Sequence, residues 1–236
     1  MNIIDVTLSK LALASCMFDA LMPYNKSYQR FNKRVSTHPD LLNESHRKAL
    51  IEWLNDWGCR HLSKNQHETT STHILTWFNN NQPQLASISN PVWDLSEKEL
   101  QIASHIYGAL KDELAGERVR QGVKQVQHIG PTAASKILFA LKPDTLMPWD
   151  DTMRLEFQCS GDAESYRKYL NEMKALSQHI EKLCEEKGFS LKDLPEKINR
   201  PNATIIAILN DYVWVTATRE VDLPSKEVFA VWASWD

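Results

Sequence analysis

Helical spacing of apolar residues is the feature that most constrains the fold of this chain. Apolar side chains recur every three or four residues over 8–22 and 50–57, and strand-like alternation is almost absent. The same spacing predicts helices over 73–78, 165–186 and 202–218, a fresh helix start near 95–100 with Ser96 or Asp94 as its cap, and a polar loop at 79–83. The sequence therefore predicts an all-α protein, with residues 1–236 as a single domain and 79–91 as the best internal boundary.

Composition narrows the function classes. No stretch approaches the roughly 20 apolar residues that span a bilayer, and the first residues lack the basic flank of a secretory signal, so we expect a cytoplasmic protein without a membrane partner. The four cysteines have no paired spacing, and His61, His67 and His73 would scatter around a helix, so no metal site is expected. With a net charge of −3, contact with a polyanion must come from a local patch. We expect a monomer.

A tight turn at Gly130 is the first candidate for a binding site. Gly130 can adopt a backbone conformation closed to other residues, and Pro131 suits the first turn of a helix. Apolar residues at helical spacing precede and follow the turn: Val119, Val123 and Val126 before it, and Ala133, Ala134, Ile137, Leu138 and Leu141 after it. The first helix is predicted to end near Gln127, and the free N–H groups of the second face a phosphate. Basic residues flank the turn: Arg118, Arg120, Lys124 and Lys136. An ordinary corner between two helices is the alternative.

Two adjacent carboxylates follow about twenty residues later. The segment 142–149 contains two prolines and is predicted to be extended, and Asp150-Asp151-Thr152 then begins a helix. Either aspartate is able to cap that helix, which is the alternative to a catalytic role. Their position soon after a phosphate-binding turn favours a carboxylate that acts on the bound molecule.

The order of helix, glycine turn, helix, proline-containing loop and aspartate over 118–157 resembles the helix-hairpin-helix superfamily of DNA glycosylases. Members usually carry Leu-Pro-Gly-x-Gly at the hairpin, whereas this chain has Gln127-His128-Ile129-Gly130 and keeps only the second glycine. The resemblance implies a two-lobed, all-α fold, with a cleft between the lobe that carries the helix-hairpin-helix motif and the remaining helices.

The resemblance also implies roles for individual residues. Asp151 corresponds to the catalytic aspartate, with Asp150 as the alternate. The lysine that gives some members lyase activity lies two residues after the second glycine, where this chain has Thr132, which implies a monofunctional enzyme. The implied DNA-binding residues are His128, Gly130, Thr132, Lys136, Arg120 and Lys124. No cofactor is expected, although the hairpin carbonyls of the family often bind a monovalent cation, which leaves room for one here.

The predicted base pocket consists of Trp149, Tyr28 and Phe31. Trp149 precedes the carboxylates, and cationic, amide and aromatic side chains are interleaved over 24–34, a mixture that suits a pocket for a base or a loop that follows phosphates. A solvated loop with a few buried aromatics is the alternative for 24–34. Most of the other tryptophans are expected in the core.

Three functions remain open from the sequence. The first is excision of a damaged or modified base from DNA, including a hypermodified base of phage DNA in antiviral defence or an alkylated base in repair. The second is a non-catalytic helix-hairpin-helix module that binds DNA while the aspartates cap a helix. The third is a helical protein-interaction domain, which the acidic balance favours.

Overall fold

A computed structural model describes residues 3–36, 38–62, 67–120 and 122–235. Over these ranges the chain is mostly helical, with one two-stranded sheet. The elements are α1 (Leu8–Leu21), α2 (Tyr24–Arg34), α3 (Glu44–Asp56), α4 (His67–Ser87), α5 (Glu97–Lys111), β1 (Leu114–Arg120), β2 (Val123–His128), α6 (Gly130–Leu141), α7 (Asp151–Glu156), α8 (Ala163–Glu186), α9 (Leu194–Lys197), α10 (Ile205–Val213) and α11 (Lys226–Ala233). No helix within these ranges has the length and apolar character needed to cross a bilayer.

Helix α5 lies at the centre of the fold and packs against α4, α6 and α8. It begins at the predicted cap, because the Ser96 hydroxyl accepts a hydrogen bond from Glu99 N while the Glu99 carboxylate accepts one from Ser96 N. Burial acts to raise the pKa of Glu99, but hydrogen bonds from Ser96, Asn90 and Ser89 outweigh it and lower that pKa to about 2. This carboxylate therefore ties the 89–96 loop to the start of α5.

Aromatic side chains fill much of the core on one side of α5. Tyr107 stacks on Tyr166 with ring centroids 4.2 Å apart, and Trp149 meets both rings edge-on. On the other side of the molecule α1 packs against α10. Asp211 of α10 is 1% exposed there and accepts hydrogen bonds from Ser15 (3.1 Å) and Arg200 (3.0 Å).

A β-hairpin occupies the place of the helix predicted before Gly130, so that prediction was wrong. Val119 lies in β1 and Val123 and Val126 lie in β2, and the strands pair antiparallel with Arg118 opposite Gln125. Val123 and Val126 are 60% and 58% exposed. Val123 and Val126 are therefore not part of a buried helix face. Their helical spacing in the sequence does not correspond to any packed surface in the structure.

Two segments predicted as loops are helical. Helix α4 continues through 79–83 to Ser87, with Pro83 inside it, and Asn81 is buried and donates to the Trp77 carbonyl (2.8 Å). The 24–34 segment forms α2 and packs against α3. Burial of Asn81 within α4 and packing of α2 against α3 outweigh the polar composition of the two segments.

The end of α10 widens into a π-helical turn over Trp214–Thr218, so the helix predicted over 202–218 is regular only from Ile205 to Val213. This turn packs against α7 and α1. π-helical turns inside α-helices are uncommon and frequently lie at functional sites. Here the turn carries Trp214 to the cavity described next.

Candidate active site

A cavity of about 610 Å³ brings together residues from both ends of the chain. This volume falls within the range of small-molecule sites. Its lining comes from α1, α2, the 57–61 turn, the beginnings of α6 and α7, α10 and the π-helical turn: Phe18, Tyr24, Trp57, Gly58, Cys59, His61, His128, Ile129, Gly130, Pro131, Thr132, Lys136, Pro148, Trp149, Asp150, Asp151, Thr152, Met153, Arg154, Asn210 and Trp214. The two sequence segments singled out around Gly130 and Asp151 thus lie in one concave site.

The N-terminus of α6 opens onto this cavity. Gly130 is the first residue of the helix with a φ of +76°, a conformation that favours glycine, and Pro131 follows it as expected. Ile129, at the N-cap position, provides no side-chain hydrogen bond to the first N–H groups of the helix, which suits this end to an anion. Ile129 fixes the turn, because its N–H donates to the Glu113 carbonyl (2.9 Å) and its carbonyl is hydrogen-bonded to His61 Nε2 (2.9 Å).

The two aspartates at the start of α7 have different surroundings. Asp150 is the cap: its Oδ1 accepts from Met153 N (2.8 Å), and the Thr218 hydroxyl donates to its Oδ2 (3.1 Å). Both oxygens of Asp150 are therefore engaged by the protein. The contact with Thr218 also joins α7 to the π-helical turn.

Asp151 presents its carboxylate to solvent at the mouth of the cavity. Its side chain is 80% exposed, and Oδ1 accepts from the Thr132 hydroxyl (3.0 Å) and from Arg154 Nη2 (2.5 Å). Thr132 belongs to the first turn of α6, so this hydrogen bond joins the two helix N-termini directly. Asp151 Oδ2 has no protein partner in the described ranges.

Arg154 is held close to the aspartate. Its side chain is only 15% exposed, its guanidinium lies 5.9 Å above the Trp149 ring, and its Nε is buried without a partner in the described residues. Gly161 leaves room for it, since a Cβ there would collide with the Arg154 guanidinium. Arg154 therefore fixes the position of the Asp151 carboxylate from the protein side.

Lys136 points into the cavity rather than to the outer surface. It is 9% exposed, its Nζ donates to the Trp57 carbonyl (2.5 Å), and the ammonium lies 5.6 Å from the centre of the Trp57 ring. Burial raises the pKa of the neighbouring Cys59 thiol, on which Lys136 and Asp151 act in opposite directions. Cys59 is thus a protonated wall residue and not a nucleophile.

The other predicted DNA-binding residues lie at the rim or on the hairpin. His128 is exposed at the rim, and its Nδ1 donates to the Asp112 carbonyl (2.7 Å), which leaves Nε2 free for a ligand. Lys124 is 76% exposed on β2 and pairs with Glu117 (3.2 Å). Arg120 lies in β1, and its side chain is outside the described part of the structure.

The predicted base pocket is only partly at the cavity. Tyr28 and Phe31 do not line it, because α2 turns them into an aromatic cluster with Trp53, where Tyr28 and Phe31 each approach the Trp53 ring to within 5.4 Å. Trp149 does line it but is 1% exposed, and its Nε1 donates to the Pro131 carbonyl (3.2 Å). Trp149 therefore stabilises the first turn of α6 from the protein interior.

Sequence reasoning missed most of the aromatic side of the cavity. Tyr24 comes from the 24–34 segment that was predicted to suit a base pocket, whereas Phe18, Trp57 and Trp214, with Asn210 beside them, were not predicted there. Asn210 and Trp214 are four residues apart, a spacing that places them on one helix face, but nothing in the sequence relates them to Asp151. In the described part of the chain, no group of three or more His, Cys, Asp or Glu side chains could hold a metal ion.

Comparisons with models of protein families, with curated proteins and with solved structures find no match to this chain. The function is therefore argued from the site itself.

Proposed function

We propose that this chain is a monofunctional DNA glycosylase that extrudes a damaged or modified base from DNA and hydrolyses its N-glycosidic bond. One observation carries the proposal: an exposed carboxylate, Asp151, and an uncapped helix N-terminus, that of α6, meet at the mouth of a single cavity with an aromatic side. Each part has a distinct task in base excision.

The α6 N-terminus would hold the DNA backbone. Its free N–H groups and the positive end of its dipole suit a phosphate, and His128 and Lys124 lie on the adjoining strand. Such contacts fix position without reading sequence. A β-hairpin stands where the resemblance places the first helix of a helix-hairpin-helix motif, so the proposed phosphate contact rests on the α6 N-terminus alone.

The cavity would receive the extruded nucleotide. An enzyme that acts on a glycosidic bond within a duplex must take the nucleotide out of the stack and accommodate the base elsewhere. The 610 Å³ volume and the aromatic side chains supply room and stacking surfaces for a flat heterocycle. The sugar would then lie at the mouth, where Asp151 is located.

The chemistry requires an anion at that position. Departure of the base builds positive charge on the sugar, and a fixed carboxylate stabilises that charge and orients the attacking water. The unengaged Oδ2 of Asp151 is suited to this task, whereas both oxygens of Asp150 are occupied by Met153 and Thr218. Asp151 is therefore the proposed catalytic residue, and Asp150 the helix cap.

The enzyme would leave an abasic site without cutting the strand. Thr132 stands where the resemblance places a lyase lysine, and its hydroxyl donates to Asp151 (3.0 Å). Lys136 is the lysine that lines the cavity, and the Trp57 carbonyl holds its ammonium. Both observations favour hydrolysis over attack by an amine.

An abasic-site assay tests this proposal. The purified protein is incubated with undamaged, alkylated, deaminated and oxidised DNA and with phage DNA that carries modified cytosines, and strand breaks are counted before and after alkali. We expect alkali-dependent breaks in at least one DNA and none before alkali. If the protein binds DNA but produces no abasic sites in any substrate, the result identifies a non-catalytic DNA-binding module. If it neither binds DNA nor produces abasic sites, the result favours a protein-interaction domain.

A further inference from the structure

Asn210 is a largely buried residue whose amide has no partner among the described residues. The residue is 8% exposed and lines the cavity, and no hydrogen bond joins its carboxamide to any described residue. Asn81, which is 7% exposed in α4, shows the usual arrangement, since its amide donates to the Trp77 carbonyl. The Asn210 amide is not among the unpaired polar atoms that are sealed inside the described residues, so it reaches the cavity, where a polar ligand would pair with it.

The neighbours of Asn210 suit a flat, polar ligand. Trp214 lies one helical turn away on α10, with its ring centre 5.0 Å from that of Phe18 and 6.3 Å from that of Tyr24. The hydroxyl of Tyr24 also lacks a protein partner among the described residues. The cavity thus combines ring surfaces with several unused hydrogen-bonding groups.

We propose that Asn210 reads the edge of the extruded base, accepting one hydrogen bond and donating another to adjacent groups. This inference rests on the proposed function and names the class of base. A carboxamide offers one acceptor and two donors, and it pairs with an edge that presents a donor beside an acceptor. Such an edge is the amide of a uracil- or guanine-type base or the amidine of a cytosine- or adenine-type base.

This assignment separates two substrate classes. Alkylation of a nitrogen on that edge, as at N1 of adenine or N3 of cytosine, removes the acceptor that the carboxamide meets, whereas modification elsewhere leaves the edge intact. A site that hydrogen-bonds the edge rejects bases that lack it, because its own amide is then left unpaired. We therefore infer a substrate with an intact donor–acceptor edge, whose modification lies elsewhere on the base.

Variants of Asn210 test the inference on the DNA from which the wild-type protein releases a base. Asn210→Leu removes both hydrogen bonds, and we expect kcat/KM for base release to fall about 100-fold. Asn210→Asp keeps the shape and loses the donor, and we expect a fall of the same order. Affinity for DNA that contains a tetrahydrofuran abasic analogue stays within about twofold, because no base then enters the cavity. Asn81→Leu, which removes a buried amide outside the cavity, leaves kcat/KM unchanged.

Free bases test the same pocket without catalysis. We expect free uracil, cytosine or adenine to quench the tryptophan fluorescence of the wild-type protein, and methylation of the matching edge to abolish the quenching. Asn210→Leu abolishes it as well. Base release at the wild-type rate in folded Asn210→Leu, or quenching that survives edge methylation, overturns the inference while the glycosylase proposal stands. Absence of base release with edge-dependent quenching overturns the glycosylase proposal and supports the pocket.

Discussion

Substitutions at the two neighbouring aspartates are expected to have opposite consequences. Asp150→Ala removes the cap of α7 and the partner of Thr218. Loss of a cap costs about 0.5–2 kcal/mol, and loss of a hydrogen bond to a charged group costs about 1.5–3 kcal/mol. Together we expect a loss of roughly 2–5 kcal/mol, which for a chain of this length lowers the melting temperature by about 4–20 °C.

Asp151→Asn is expected to leave stability almost unchanged. The Asp151 side chain is 80% exposed and that of Arg154 is 15% exposed, but the asparagine oxygen still accepts from Thr132 and Arg154, so we expect a loss of about 1 kcal/mol or less. Its effect falls on the reaction, because the neutral amide cannot stabilise positive charge on the sugar. We expect single-turnover base release to slow by about 10² to 10⁴, while affinity for DNA is retained.

A conservative variant at Asp150 completes the comparison. Asparagine caps helices as well as aspartate, so Asp150→Asn restores most of the stability lost in Asp150→Ala and keeps base release within a few-fold of wild type. Thermal denaturation and single-turnover kinetics are measured on all three variants. Base release that is fast in Asp151→Asn and abolished in folded Asp150→Asn would refute the assignment and move the catalytic role to Asp150.

Three further changes probe the turn, the lysine and the core. Gly130→Glu places an anion at the α6 N-terminus, and we expect DNA affinity measured by filter binding to fall roughly tenfold for all sequences alike. Asparagine tolerates the same backbone conformation, so we expect the affinity of Gly130→Asn to stay much closer to wild type. Borohydride is expected to trap no protein–DNA adduct, because Lys136 is held by Trp57; an adduct that disappears in Lys136→Met would show a lyase. Burial raises the pKa of Asp211 to about 7 against the opposing effects of Arg200 and Ser15. The folded state therefore binds this proton more tightly, and its stabilising contribution is complete below the unfolded pKa of 3.8 and lost as the pH rises to about 7. Chemical denaturation at several pH values should show this fall in wild type relative to Asp211→Asn, and parallel profiles would contradict it.

The sequence predicts the helices of this chain where burial imposes a periodic pattern. Gly130 opens α6 and Ser96 caps α5 as expected, because capping and glycine turns depend on nearby residues alone. The β-hairpin was not predicted because every residue of β2 is exposed or half-exposed. Without a buried face, the strand has no alternation of apolar and polar residues by which to recognise it. Helix α4 runs through the polar segment 79–83, where Asn81 is buried and donates to the Trp77 carbonyl, and no local sequence signal marks that burial.

The sequence indicates only the part of the candidate site whose residues are close to one another along the chain. Gly130 and Asp151 lie in one segment with a recognisable order of elements, and the structure brings them to one cavity. The aromatic side comes from Phe18 and Trp214, which are far apart in sequence, and only tertiary packing relates them. Tyr28 lies in a segment whose mixture of aromatic and polar residues suits a base pocket. Helix α2 instead places its ring in an aromatic cluster with Trp53 and Phe139.

Mass spectrometry of the free bases released from DNA tests the central claim most directly. Wild-type protein and Asp151→Asn are incubated with the same set of genomic and phage DNAs, and the small molecules are separated from the DNA before analysis. Glycosylase action predicts one free base from one class of DNA with the wild-type protein and at least about 100-fold less with Asp151→Asn. No base from any DNA with a folded wild-type protein that binds DNA would contradict the proposed function and leave Asp151 without a catalytic role.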